Sequence, residues 1–253
     1  MRAAGHYTPA MNEFSRLAGA YAAARPTYPP ELFAYLAALT GNHELAWDCA
    51  TGNGQAAIAL AAHYRRVAAT DLSREQVARG RPHPQVSYWV ASAEGSGLRD
   101  GCVDLVTVAT GAHYLDHARF YAESRRVLKP GGVLAVWGYH LCRLDHREID
   151  AALESFYALV EPWFPPGLHY LTARYRTMPF PEGEVEAPAF TMRADWDLGS
   201  LLRFIATWSG ARRYADAHGD PLPALAERIA AHWGDAGARR PVFWDLALRV
   251  ARF

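Results

Sequence analysis

The stretch Ala46-Trp47-Asp48-Cys49-Ala50-Thr51-Gly52-Asn53-Gly54 decides the fold. Residues 45–49 form a short apolar run carrying one acid, the pattern of a buried strand. Gly52 and Gly54 then mark a turn, and residues 55–64 (QAAIALAAHY) read as a helix on alanine and leucine propensity. A second apolar run, 67–70, ends at Asp71, 17 residues after Gly54. In an α/β sheet such a turn brings backbone N–H groups close to a ligand, and an acid about 20 residues on grips a ribose diol. Taken alone, this pattern supports any adenosine-containing ligand, NAD included.

Working outward, Ser73 reads as a helix N-cap with Gln76 at the capping-box position, starting a helix to about residue 79. Further strands are expected over 86–90, 103–109 and 133–137. A helix over 116–128 should be stopped by Lys129-Pro130-Gly131-Gly132. The alternation of strand and helix predicts an α/β, Rossmann-like, doubly wound parallel sheet.

After Tyr139 the pattern changes. A helix over 145–160 leads into a proline- and aromatic-rich stretch, 162–188. A strand over 190–196, helices over 200–208 and 222–232 and a closing strand over 242–252 follow. A further helix, 30–39, precedes the core. The expectation is a seven-stranded sheet with an antiparallel last strand and a helical and aromatic cover over the pocket. One domain then fills residues 1–253: an N-terminal helical segment (1–40), a cofactor-binding core (41–140), a substrate cover (141–235) and the closing strand (236–253).

Composition narrows the class. The 253 residues are 51% hydrophobic, with 26 basic and 26 acidic side chains. Such a chain buries roughly three quarters of its unfolded surface and needs no staple. Zero net charge gives no field to attract nucleic acid or an anionic membrane. Cys49, Cys102 and Cys142 are an odd, sparse set without metal-type spacing, which fits a reducing compartment. Lys129 is the only lysine, a bias most simply read as GC-rich coding. Residues 1–12 lack a signal-peptide core, and no apolar run approaches the roughly 20 residues of a membrane span. The expectation is a cytoplasmic monomer or weak homodimer acting on a small molecule, with no nucleic acid, membrane or metal partner.

Asp48 argues against NAD, because a carboxylate beside a pyrophosphate is repelled while one beside a cationic sulfonium is attracted. At position 57, where the NAD fingerprint carries glycine and sometimes alanine, the chain has Ala57. From here the chain resembles the class I S-adenosylmethionine (SAM) dependent methyltransferases, and within them the branch of trans-aconitate methyltransferases and related small-molecule enzymes. Tyr21 with Arg25-Pro26-Thr27-Tyr28-Pro29 is similar to the family's Y-x-x-x-R-P-x-Y-P, and residues 48–55 to D-x-G-x-G-x-G-Q. Ala91-Ser92-Ala93-Glu94 resembles the adenine segment, and His113-Tyr114-Leu115-Asp116 resembles H-W-F/L-D. Residues 126–132 read R-V-L-K-P-G-G, and Thr207-Trp208-Ser209 with Tyr214 resembles a late T-W-S-x-x-x-x-Y segment. Three departures stand out. Ala50 replaces the loop's first glycine, so that position should not require positive φ. Asn53 replaces a frequent threonine, and Tyr114 the usual tryptophan.

The resemblance implies methyl transfer from SAM, leaving S-adenosyl-L-homocysteine, to an oxygen or nitrogen of a carboxylic acid or an aromatic metabolite. The implied cofactor-binding set is Tyr21, Arg25, Asp48, Ala50, Gly52, Gly54, Gln55, Asp71, Leu72, Gln76, Ala93, Glu94, Ala109, Thr110 and His113. Asp71 would bond the ribose hydroxyls and Leu72 pack on the adenine. His113 is the candidate catalytic residue, either a base for a hydroxyl or amine nucleophile or a shaper of the pocket. Tyr28, Trp137, Tyr139, His140 and Arg174 are candidate substrate contacts, with core packing the alternative for the aromatics. Arg25 and Arg176 are further candidate anion clamps. An NAD-dependent oxidoreductase and a non-catalytic adenosine-nucleotide sensor are the competing readings.

Overall fold

Apolar segments covered on both faces build the centre of a single sheet. The computed structural model describes residues 26–253, so Tyr21 and Arg25 lie outside the described residues. The parallel strands are β1 (Leu45–Cys49), β2 (Arg66–Asp71), β3 (Val86–Val90), β4 (Val103–Ala109) and β5 (Leu128–Tyr139). Three more strands, β6 (Glu184–Val185), β7 (Thr191–Trp196) and β8 (Arg240–Arg252), are antiparallel additions. The order is β3-β2-β1-β4-β5-β8-β6, with β7 pairing β8 off this path. The chain runs outward from β1 through β2 to β3, then crosses to β4 on the other side. Ligands of open α/β sheets bind at the carboxyl ends of strands beside such a reversal.

The expected doubly wound sheet and its antiparallel closing strand are present, with eight strands rather than seven. The extra strand is the two-residue β6, which lies inside the proline-rich stretch and pairs with Val250 and Ala251 of β8. Two residues are too few to leave a periodic signal in sequence. The same stretch contains a short helix, Leu168–Thr172. A ten-residue helix, Ser209–His218, also has no counterpart in the expectation. Its sequence, SGARRYADAH, is mostly polar and small and buries only Ser209, Gly210 and Ala211.

β5 starts five residues earlier than expected. Lys129-Pro130-Gly131-Gly132 belongs to its first turn of strand, where the ladder to β4 is irregular between Val103 and Leu105. Proline and a left-handed glycine (Gly131, φ 76°) are tolerated where pairing is interrupted. The helices flanking the early strands are α1 (Pro30–Ala38), α2 (Gln55–Leu60), α3 (Arg74–Val77) and α4 (His117–Val127). Ser73 caps α3 by accepting from the Gln76 N–H at 3.2 Å, as the sequence predicts.

The chain divides into two compact units. One comprises Tyr28–Tyr139, His169–Phe190 and Leu246–Phe253. Its core is built on Trp47, Trp137, Phe33, Phe120, Tyr64 and Tyr175, all essentially without exposure. The other comprises His140–Leu168 and Thr191–Asp245, with Pro26 and Thr27. It holds the long helices after residue 140, β7 and the first residues of β8. An aromatic cluster links Phe156, Tyr157, Phe164, Phe204 and Trp208, with Trp196 and Trp244 packed against Phe204. No helix among the described residues is long and apolar enough to cross a membrane.

Candidate active site

The turn after β1 is held in the left-handed region at three of its residues, Ala50 (φ 53°), Gly52 (57°) and Gly54 (85°). The expectation that Ala50 escapes positive φ is therefore wrong: substitution of the family glycine changed the side chain and kept the backbone. A left-handed alanine costs about 1–2 kcal/mol. Thr51 N–H, bonded to the Thr70 carbonyl of β2 at 2.9 Å, fixes the turn against that cost. Thr110, at the end of the neighbouring β4, is likewise left-handed (φ 56°). A Cβ on Gly111 would lie 3.2 Å from that of Ala50, so the two strained turns touch. Backbone strain concentrated on adjacent strand ends is a signature of functional sites.

Asp48 braces the first turn from beneath. It is fully buried, and the β1–β4 register sets it beside Thr107. Thr51 Oγ1 donates to its Oδ2 at 2.5 Å and Thr107 Oγ1 to its Oδ1 at 2.8 Å. Burial raises its pKa to about 6, against the downward pull of the two hydroxyls. Both oxygens are used within the protein.

Asp71 ends β2 and ties the turn to the next strand. Gly52 N–H donates to Oδ2 at 2.9 Å and Ser73 N–H to Oδ1 at 2.8 Å. Burial raises its pKa while those N–H groups pull it down. Each oxygen retains lone-pair capacity for a further donor. Beside this half-buried carboxylate, Leu72 is 42% exposed, and Val90, paired with Asp71 in the β2–β3 register, is 45% exposed. Among the described residues no heavy atom lies within 4 Å of a Cβ built on Gly52, so none of them fills that side of the turn. A carboxylate acceptor, an open turn and two exposed aliphatic side chains thus converge at the carboxyl ends of β1, β2 and β3. Ala93 is buried just after β3, and Glu94 accepts from the Asp116 N–H at 3.4 Å. Gln55 opens α2, and Gln76 is buried in α3. Ala109 closes β4, half-buried.

On the β4 and β5 side, Thr110 Oγ1 and Tyr28 Oη share a 3.0 Å hydrogen bond. Tyr28 stands edge-on to Trp137 and Tyr139, with ring centroids 5.5 and 6.4 Å apart. Trp137 is fully buried against Tyr28 and Phe33, so it is a core aromatic and not a pocket wall. Tyr139 is also buried. His113 follows in a 3-10 turn, 5% exposed. Burial, helped by the charge of nearby His117, lowers its pKa to about 3, so it is neutral at physiological pH. Its Nδ1 lies 3.1 Å from Tyr175 Oη.

His140 belongs to the other unit, packed edge-on against Tyr157 at 4.4 Å. Its buried Nε2 has no hydrogen-bond partner among the described residues. Arg174 donates to the Leu246 carbonyl at 3.1 Å, so its guanidinium is tied to the closing strand. An open cavity of about 380 Å³ lies in the second unit, between residues such as Ser155, Tyr214 and Arg228, and is lined by none of the candidate cofactor or substrate residues. Two residues of the first-unit site carry no signal in the sequence: Tyr175, bonded to His113, and Tyr88, whose ring lies against Gly54 of the turn. Both act through space across more than 30 residues of chain, and no local pattern marks them.

Residues 47–136 match the methyltransferase domain family. A solved structure from Anaeromyxobacter dehalogenans, provisionally assigned as a type II methyltransferase, is 37% identical to the chain. The match has a TM-score of 0.85 and covers 90% of this chain and 97% of that one. The chain belongs to the class I SAM-dependent methyltransferases. A provisionally assigned methyltransferase of Dictyostelium discoideum is 26% identical over 223 residues, 86% of this chain and 85% of its own. An uncharacterized methyltransferase of Mycobacterium bovis is 36% identical over 126 residues; there the chain spans only 51% of the relative's length. The family match covers the stretch from β1 into β5, which contains Asp48, the strained turn, Asp71 and His113.

Proposed function

We propose that this methyltransferase transfers a methyl group from SAM to an oxygen or nitrogen of a small-molecule acceptor, a carboxylic acid or an aromatic or heteroaromatic metabolite. The observation that carries the reading is the Asp71 carboxylate, fixed by the Gly52 and Ser73 N–H groups beside exposed Leu72. A ribose needs a paired-lone-pair acceptor, and an adenine needs an exposed apolar face; this chain supplies both within two residues. The side of the turn that is open at Gly52 among the described residues suits the methionine part, with Gln55 at the head of α2. Gln76, Ala93 and Glu94 border the adenine side, and Ala109 and Thr110 the sulfonium side.

When bound, SAM supplies an electrophilic methyl on a sulfonium. The chain's own task is to orient the acceptor in line with it, which supplies most of the acceleration in a displacement of this kind. Asp48 keeps the turn in shape through Thr51 and Thr107, so that the backbone N–H groups present a fixed surface. His113 and Tyr28 face the acceptor, with His113 the group that touches it. The likeness of residues 113–116 and 207–209 to the trans-aconitate branch supports small acids as acceptors. The reading places the enzyme in the cytoplasm as a monomer or weak homodimer.

Calorimetry with SAM and with NAD tests the cofactor. Binding of SAM and none of NAD is expected; the reverse overturns the reading. A SAM-turnover screen against carboxylic acids, phenols and heteroaromatic amines then tests the acceptor. Product mass and position of the new methyl distinguish oxygen, nitrogen and carbon. Methylation at carbon corrects the acceptor atom, and SAM binding without turnover of any acceptor supports a sensor.

A further inference from the structure

Tyr175 is placed with unusual care for a residue in a proline-rich loop. It is fully buried, 62 residues from the histidine it meets, and it and Arg174 are consecutive left-handed residues (φ 59° and 53°). Left-handed backbone is strained for residues that carry a Cβ. Several contacts hold them there. The Tyr175 N–H donates to the Tyr170 carbonyl at 2.6 Å. Arg249 Nη1 donates to the carbonyls of Tyr175 (2.9 Å) and Met178 (2.7 Å). Arg249 is itself fixed by both oxygens of Glu184 (2.7 and 2.6 Å) and by the Phe180 ring, 4.1 Å from its guanidinium carbon.

The hydroxyl end is equally constrained. A Cβ on Gly138 would lie 2.7 Å from Tyr175 Oη and 2.8 Å from Leu171 Cδ1, so a bare glycine on β5 makes the room. Packing alone would be served by phenylalanine. The hydroxyl makes one hydrogen bond among the described residues, to His113 Nδ1 at 3.1 Å. A buried hydroxyl has one proton to place, and leaving it without an acceptor carries the full desolvation penalty of that group. Donation by Nδ1–H to the hydroxyl would strand that proton. Donation by the hydroxyl to Nδ1 strands nothing.

We infer that Tyr175 is a positioning residue: its hydroxyl donates to His113 Nδ1 and holds the imidazole in the tautomer with its proton on Nε2. His113 then presents a hydrogen-bond donor at Nε2 and has no free nitrogen with which to accept a proton. The consequence for the acceptor rests on the proposed methyl transfer. An acceptor whose reacting atom can be methylated without losing a proton, such as a carboxylate oxygen or a ring nitrogen that bears no hydrogen, suits this site. A neutral alcohol, which needs a base, does not.

The test is NMR of the full chain containing nitrogen-labelled histidine, without ligand, at neutral pH. The His113 signals are identified among the 11 histidines by their loss in His113→Gln. Unprotonated Nδ1 and protonated Nε2 are expected, with the populations shifting in Tyr175→Phe. Turnover by Tyr175→Phe should fall about tenfold in kcat, with KM for SAM unchanged. Glutamine can accept from Tyr175 through its oxygen and offer its NH2 in place of Nε2–H. His113→Gln should therefore exceed His113→Ala in kcat by about tenfold. A proton on Nδ1 in the wild type, an unmoved tautomer in Tyr175→Phe, or equal turnover of the glutamine and alanine variants overturns the inference. If no acceptor turns over, the methyl-transfer reading fails, while the ligand-free spectrum still decides the tautomer. The wild-type spectrum also decides it if Tyr175→Phe does not fold.

Discussion

The hydroxyl of Tyr88 occupies the space that a side chain on Gly54 would need. A Cβ built on Gly54 would lie 2.1 Å from Tyr88 Oη and 2.8 Å from two of its ring carbons. The same ring lies against Gly80, 2.8 Å from where a Cβ there would sit, and its hydroxyl donates to the Arg81 carbonyl at 3.0 Å. A tyrosine from β3 thus closes over the last glycine of the strained turn, so sheet order and turn conformation are linked.

Gly54→Ala should therefore fail for two separable reasons. The left-handed φ of 85° costs about 1–2 kcal/mol for alanine. Displacing Tyr88 adds an overpacking cost of about 1–3 kcal/mol. In the double variant with Tyr88→Ala, urea unfolding should show the second cost recovered and the first retained. Additive losses in the double variant would show that Tyr88 does not oppose a side chain at position 54.

Asp48 gives a stability effect that depends on pH with a defined sign. Its folded pKa, about 6, lies above the ordinary 3.8. The fold therefore favours the protonated acid, and that contribution is present below about pH 4 and lost as pH rises through about 6. Asp48→Asn cannot ionise. Thr107 can accommodate the amide by turning its hydroxyl toward the Trp47 carbonyl, already 3.5 Å away. The stability of Asp48→Asn relative to wild type should grow between pH 4 and 7, by on the order of 3 kcal/mol. Denaturant unfolding of both proteins at the two ends of that range measures it. A constant difference would mean that Asp48 ionises in the fold as easily as in the unfolded chain.

Much of this site is legible in the sequence. Asp48, the glycine turn, Asp71 and Ser73 lie on consecutive elements, so strand-turn-helix periodicity placed them together. Where the structure departs from the expectation, as at Ala50, or selects between its alternatives, as at Trp137, the decisive physics is non-local. Ala50 keeps a glycine's backbone because Thr70 of the next strand anchors the turn, which a propensity for alanine cannot reveal. Trp137 follows the apolar run of β5 as a pocket wall would, yet Tyr28 and Phe33, from a segment more than 100 residues earlier, enclose it. Tyr175 sits in a stretch whose prolines hide both a short helix and the register of β6. Its partner His113 is found only once that stretch is folded onto the sheet.

Arg249 and Glu184 form a bidentate pair whose two halves should count very differently. The Arg249 side chain is 15% exposed and also bonds two carbonyls of the Tyr175 loop, whereas that of Glu184 is 44% exposed. Removing the arginine leaves those carbonyls without their donor. Arg249→Met should destabilise by about 2–4 kcal/mol. Glu184→Gln, which removes one exposed charge from a pair open to solvent, should cost no more than about 1 kcal/mol. Thermal and urea unfolding of both variants checks the asymmetry. Equal losses would mean that the pair itself, not the loop carbonyls, carries the stability.

Asp71 and Leu72 are adjacent, yet substitutions at them should separate folding from ligand binding. Asp71→Asn places an NH2 against one of the two backbone N–H donors now directed at the carboxylate. The ligand-free protein should lose about 1–3 kcal/mol of stability together with its affinity for SAM. Leu72 is 42% exposed, so truncation to alanine removes little that the fold has already buried. If its side chain covers the adenine, Leu72→Ala should leave the ligand-free Tm in place and raise the SAM dissociation constant about tenfold. The stabilisation that saturating SAM adds to Tm should shrink accordingly, because binding to the folded state alone sets that shift. Calorimetry and thermal melts with and without SAM report both quantities. A fall in ligand-free Tm with unchanged affinity would make Leu72 a packing residue and move the adenine elsewhere.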